Sequence, residues 1–182
     1  MFEIAKQTAK LNHINVRTEN HGQEEVVAND LTFFIKTSNK ILNLLNENLL
    51  PFFYTKNGSS EELDLEEDHC PDLRLASFIS ANTSGKSGFK FDYTGKGYDV
   101  TLHVGLDQES WIELTDCTIS HITYWPLADG IVEMKLNVSL CPNSRERAVF
   151  QDHLKETFEI TLTAPAAEIF GEGGQMNEAA EE

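Results

Sequence analysis

Long stretches of this chain alternate apolar and polar residues with a period of two, and few folds accommodate that pattern. Its cleanest instance is Val132, Met134, Leu136, Val138 and Leu140, interleaved with Glu133, Lys135, Asn137 and Ser139. Successive strand side chains point to opposite faces, so this is a strand with one dry face and one wet face. Asn12, Ile14, Val16 and Thr18 alternate with Leu11, His13, Asn15 and Arg17, and Val27, Leu31, Phe33 and Ile35 form an apolar face just beyond. Between those runs, Glu19-Asn20-His21-Gly22 offers the φ > 0 residues of a hairpin turn. The pattern predicts further strands over 89–93 and 98–104, joined by a tight turn at Gly95-Lys96-Gly97. More follow over 111–114, over 117–125 (Cys117, Ile119, His121, Thr123 and Trp125 on one face) and at Phe158, Ile160 and Leu162, with Asp129-Gly130 as another turn.

Two segments switch to helical spacing. Ser38 or Asn39 is placed to cap a helix running to about Leu49, with Ile41, Leu42, Leu45 and Leu49 on one stripe and Pro51 ending it. Ser144 is placed to cap a second helix that turns Val149, Phe150 and Leu154 inward. Phe52, Phe53 and Tyr54 read as a plug of the first helix onto the sheet, or as an anchor for a partner. The fold class expected is mainly β (β-rich α+β): an antiparallel sandwich or an OB-like Greek-key barrel with two short helices. Residues 1–165 form one domain, interrupted by a solvated acidic loop over 57–74. Residues 166–182 form a disordered acidic tail, because Ala, Glu and Gly cannot bury enough apolar surface to order it.

Charge is distributed unevenly. The formal net charge is −16, yet Glu61, Glu62, Asp64, Glu66, Glu67, Asp68 and Asp72 crowd the loop, and Glu172, Glu178, Glu181 and Glu182 lie on the tail. The body between them is close to balanced. Strong net negativity opposes indiscriminate binding to phosphate backbones or anionic membranes unless a local cationic surface overrides it. Cys70, Cys117 and Cys141 are odd in number and widely spaced, which points to free thiols in a reducing compartment. Residues 1–10 lack a basic-then-apolar leader, and no apolar run reaches the length of a membrane span, so a cytoplasmic protein is expected.

No motif for catalysis stands out, and no enzyme, metal site or cofactor is expected. Gly85-Lys86-Ser87 imitates the end of a phosphate-binding loop, but Ser80 occupies the position of the required upstream glycine. The six histidines are scattered without ligand spacing. His69 and Cys70 beside Glu66, Glu67 and Asp68 belong to a loop without the turn glycines of a calcium site, and His103 and His121 lie on strands that could bring them together across a sheet.

One segment does combine the groups that hold single-stranded nucleic acid. Over 84–98, Lys86, Lys90 and Lys96 are interleaved with Phe89, Phe91, Tyr93 and Tyr98. Rings stack bases and lysines meet phosphates, at about 1–3 kcal/mol per stacked base. The aromatic row is either this platform or a core-facing face with lysines outside. Arg17, Lys36 and Lys135 are candidate groove walls. The glycine linker at 171–174 followed by carboxylates resembles the acidic tails of single-stranded-DNA-binding proteins, without their apolar tip, and such a tail would compete for a cationic groove.

Residues 10–31 (K-L-N-H-I-N-V-R-T-E-N-H-G-Q-E-E-V-V-A-N-D-L) resemble the opening of a family of uncharacterised proteins from tailed bacteriophages and prophages. Residues 95–140, with G-K-G-Y-D-V-T-L-H-V-G and I-E-L-T-D-C-T-I-S-H-I-T, are similar to its later part. The resemblance implies a phage-encoded protein of the host bacterial cytoplasm and carries over no active-site residue. The leading expectation is a non-enzymatic accessory of phage DNA replication or recombination that binds single-stranded DNA, with a DNA-processing protein of host or phage as a candidate second partner. The alternative is an acidic inhibitor of a host nuclease or defence complex (CRISPR or restriction type), in which Glu61, Glu62, Asp64, Glu66, Glu67 and Asp68 substitute for phosphates on the partner. A virion component acting through strand edges is a third.

Overall fold

The computed structural model describes residues 2–55, 70–74, 88–105 and 107–166. Among the described residues nine strands are seen: β1 (Ile4–His21), β2 (Glu24–Ser38), β3 (Tyr54–Thr55), β4 (Asp72–Leu73), β5 (Phe89–Phe91), β6 (Gly95–His103), β7 (Ile112–Pro126), β8 (Ile131–Leu140) and β9 (Thr157–Thr163). Helices α1 (Ile41–Leu45) and α2 (Leu49–Phe53) follow β2, and α3 (Ser144–Asp152) follows β8.

Six strands close into an antiparallel barrel, in the order β1-β2-β8-β7-β6-β9 and back to β1. Strands β6, β7 and β8 follow one another as hairpins and β9 returns beside β6, which is a Greek key. Of the two expected architectures, the barrel is the one adopted, with six strands in its wall. The period-two runs supply its interior: Leu31, Phe33, Met134, Leu136, Val138, Leu102 and Ile160 are all buried there. Helices α1 and α2 cover the end where β2 stops, through Ile41, Leu42 and Phe53, and Phe150 of α3 enters the core from the end where β8 stops.

Closing so small a barrel requires bends, and bulges provide them. Strand β7 runs unbroken where two strands were expected, and Asp116 and His121 take positive φ (53° and 54°) within it. Each bulge shifts the inward phase by one residue: Leu114, then Cys117 and Ile119, then Ile122 and Tyr124 face the core. His121, Thr123 and Trp125 therefore do not share the face of Cys117, contrary to strict alternation.

Three other expectations are corrected. Residues 89–104 do not form a hairpin. Phe89 pairs with Tyr124, Phe91 with Ile122, Gly95 with Ile119 and Tyr98 with Cys117, so β5 and β6 are two parts of one interrupted strand along β7. Gly97, at φ +72°, forms a bulge there and not a turn. The expected helix to Leu49 is two single turns. Asn46 to Asn48 interrupt it, Ser38 belongs to β2, Asn39 turns inward, and Pro51 sits in the first turn of α2, where its missing N–H costs nothing. At α3 the cap is Asn143, one residue before Ser144. Its side chain accepts from the N–H groups of Arg145 and Glu146, and Glu146 returns the bond to its amide.

Candidate nucleic-acid interface

The expected aromatic platform is largely consumed by packing. Phe89 is half-buried against Phe53 and Tyr124, with centroids at 4.8 and 5.8 Å. Phe91 stacks on Tyr93 at 6.2 Å, and both pack against the core. Tyr98 is buried, its hydroxyl donating to the Phe2 carbonyl at 2.8 Å and lying 2.5 Å from that of Tyr93. Burial and the bond to Tyr93 push its phenol well above the ordinary range. Lys90 and Lys96 are exposed. Lys86 lies outside the described residues, as do Glu61, Glu62, Asp64, Glu66, Glu67 and Asp68 of the acidic loop and the tail from residue 167.

A different arrangement appears on the outer wall. Residues directly opposite on neighbouring strands share a face, and the ladder registers can be followed from strand to strand. Lys10 on β1 pairs with Phe34 on β2, Phe34 with Lys135 on β8, Lys135 with Thr123 on β7, and Thr123 with Lys90 on β5. This transverse row reads Lys-Phe-Lys-Thr-Lys and places a cation on every second strand. At about 4.8 Å per strand it extends roughly 19 Å around the barrel. Each member alternates with inward residues, so all five point outward.

Among the described residues none of Lys10, Lys90 and Lys135 has a carboxylate in ion-pair range. In the adjacent row Lys36 meets Glu133 at 3.6 Å, both largely solvated, an arrangement worth little. Trp125 pairs in register with Glu133, and its indole stacks on Phe34. Gly88 lies directly beneath that indole, where a Cβ would sit 2.5 Å from Trp125 Cε2. Glu159, opposite Thr8 on β9, is the carboxylate flanking the other side. A shallow cleft of about 290 Å³ lies along the row, lined by Thr8, Lys10, Phe34, Lys36, Glu133 and Thr157.

Of the expected groove walls, Lys36 and Lys135 join this surface and Arg17 does not. The Arg17 guanidinium bonds to Asp30 at 3.1 Å and pairs with Glu19, which neutralises it. Asp30 also accepts from Ser139 at 2.7 Å and Asn15 at 3.1 Å. The sequence pattern places Trp125 on the face of Cys117 and assigns Phe34 and Lys10 no role at a surface. The readable signal was Phe34: a ring in the wet phase of β2, between inward Phe33 and Ile35, has no core reason to be there.

His103 and His121 do not converge. His103 lies beyond the Leu102–Ile112 pair and His121 beyond the Gly95–Ile119 pair, at opposite ends of the β6–β7 ladder. The His103 imidazole is buried with Nε2 at 2.8 Å from Thr161 Oγ1. Burial, with Lys6 nearby, lowers its pKa against the opposing pull of Glu159, so it stays neutral at pH 7. Ser120 Oγ and His121 Nδ1 are 2.9 Å apart, and among the described residues no carboxylate is hydrogen-bonded to that imidazole. Among those residues no three of His, Cys, Asp and Glu form a metal-ligand group, and no helix is long and apolar enough to cross a membrane. No protein family, curated protein or solved structure matches the chain.

Proposed function

We propose that this chain is a non-enzymatic protein that binds single-stranded nucleic acid across the outer wall of its barrel. Lys10, Lys90, Lys135 and Lys36 meet phosphates, while Phe34 and Trp125 offer ring surface to unstacked bases. The observation that carries the reading is the transverse row: cations on alternate strands, flanking a pair of partly exposed stacked rings, in a protein that is acidic overall. A single strand suits it because its bases are free to stack on rings, whereas the bases of a duplex are already stacked on each other. The row makes contacts to backbone and ring faces, so binding is expected to be tolerant of sequence.

The resemblance of residues 10–31 and 95–140 to phage and prophage proteins supports a role as an accessory of phage DNA replication or recombination in the host cytoplasm. Binding, and not turnover, is the reading because among the described residues no carboxylate is hydrogen-bonded to the His121 imidazole to orient it for nucleophilic catalysis. The test is fluorescence anisotropy with a labelled oligothymidylate and with a duplex of equal length, at low salt, on the full chain and on a form ending at residue 166. Micromolar or tighter binding to the single strand, weaker binding to the duplex and stronger binding by the shortened form support the reading. No binding by the shortened form at low salt removes it.

A further inference from the structure

The ladder between β1 and β2 stops at Ala9–Ile35, although both strands continue. Lys6, at φ +40°, bulges β1 there, and its pairing with β9 skips from Ile4 to Gln7. Past that point no ladder pairing joins the two strands. Between them, beside α1, a cleft of about 430 Å³ opens, within the roughly 300–1,000 Å³ of small-molecule sites. Its apolar walls include Ile4, Ile41 and Leu44, and Leu44 is 48% exposed. Gln7 and Thr37 join across the gap, Thr37 Oγ1 donating to Gln7 Oε1 at 2.6 Å, which leaves the Gln7 amide N–H groups as donors. Lys40 is exposed at the rim, and among the described residues none of the eight that line the cleft is acidic.

We propose that this cleft receives one unstacked nucleobase of the bound strand, an inference that rests on the function proposed above. Continuity is the first argument. Gln7 and Thr37 line the cleft, and the next residues along the strands, Thr8 and Lys36, line the groove of the cationic row. Gln7 and Thr37 keep the inward phase of Ala9 and Ile35, so a strand held on outward Lys10 and Lys36 enters the cleft by turning over the barrel end where the ladder has stopped, and Lys40 meets the phosphate beyond it. Chemistry is the second. A base presents an apolar face and a polar edge, and the cleft presents Ile41 and Leu44 beside the Gln7–Thr37 pair. The lining, which among the described residues carries no acidic group, and the cation at the rim suit an anionic chain and disfavour a basic peptide. Leu44, otherwise an exposed leucine on a short helix, then has a partner.

The test compares an oligothymidylate with a strand of equal length whose sugars carry no bases, using the full chain and the Leu44→Asn variant. The substitution is neutral and at a half-exposed site; Leu44→Ser serves as the second variant if the first melts at lower temperature. The native protein should prefer the base-bearing strand by about tenfold or more. The variant should lose several-fold of that preference while its affinity for the base-free strand and its salt dependence stay unchanged. An unaltered preference, or an equal loss for both strands, overturns the cleft assignment and leaves the cationic row standing. Failure of the native protein to bind either strand overturns both.

Discussion

Phe34 on β2 and Trp125 on β7 lie on strands that do not touch, yet their rings stack at 6.3 Å with planes 13° apart, reaching across the outer face of β8. An inward pair would be ordinary packing; an outward pair between Lys135 and the Lys36–Glu133 bridge is the ring surface on which the proposed binding rests. Replacing Trp125 with Ala is expected to weaken single-strand binding by about 1–3 kcal/mol, with little change in salt dependence. In a background where Trp111 is Phe, the fluorescence of Trp125 should be quenched as a strand binds. An unquenched signal at saturation would place the strand elsewhere.

Asn39 bonds to both polar groups of the Cys70 backbone. Its Nδ2 donates to the carbonyl at 2.6 Å and its Oδ1 accepts from the amide at 3.3 Å. This buried asparagine, with the short β3–β4 ladder, fixes Cys70 to Arg74 against the barrel end. The Asn39→Ala variant leaves two backbone groups unpaired and should lose about 2–3 kcal/mol in urea unfolding. A loss under half a kilocalorie per mole, on the order of an exposed substitution, would contradict the assignment.

The three thiols should differ sharply in reactivity. Burial, then the carboxylates of Asp99, Asp116 and Glu146, push the Cys117 thiol up to about 12. Cys70 is buried and donates to the Thr55 carbonyl at 3.1 Å, while Cys141 is exposed. At pH 8 a disulfide reagent should therefore label one thiol rapidly, and Cys141→Ser should abolish that phase. A fast phase surviving the substitution would show that the barrel opens at Cys117 or Cys70.

Asp30 gives the fold an acid-sensitive point. Burial alone would raise its pKa, but bonds from Ser139, Asn15 and Arg17 outweigh that and hold it below the ordinary carboxylate range. A lowered folded-state pKa contributes stability that is present above the unfolded value, about 3.9, and lost as pH falls through the folded value. The stability gap between the native chain and Asp30→Asn should thus be constant from pH 7 to 5 and narrow below about pH 4. A gap unchanged down to pH 2 would mean that the charge on Asp30 contributes nothing.

Much of the barrel was legible because Leu31 to Ile35 and Val132 to Leu140 alternate without interruption, and a wall strand with one dry face has no other way to read. What misled was local. The bulges at Asp116 and His121 reverse the inward phase of β7, and neither residue type signals a bulge as glycine would. Gly97 did signal a positive φ, but such a residue serves a bulge as readily as a turn, and only the pairing of both flanks with β7 decides between them. The Ile41–Leu49 stripe fits a helix equally well broken or whole. The interface was hidden for a related reason: Lys10, Phe34, Lys135, Thr123 and Lys90 are scattered along the chain and meet only through ladder register.

The central claim is that phosphates lie along that row, and counterion release measures it directly. Each phosphate neutralised on a single strand contributes about −0.7 to the slope of log affinity against log salt. The native chain, titrated with oligothymidylate from about 50 to 200 mM salt, should give a slope of about −2 to −3. The triple variant Lys10→Gln, Lys90→Gln, Lys135→Gln, folded by circular dichroism, should lie within about −1 of zero. Equal slopes for the two proteins would contradict the account.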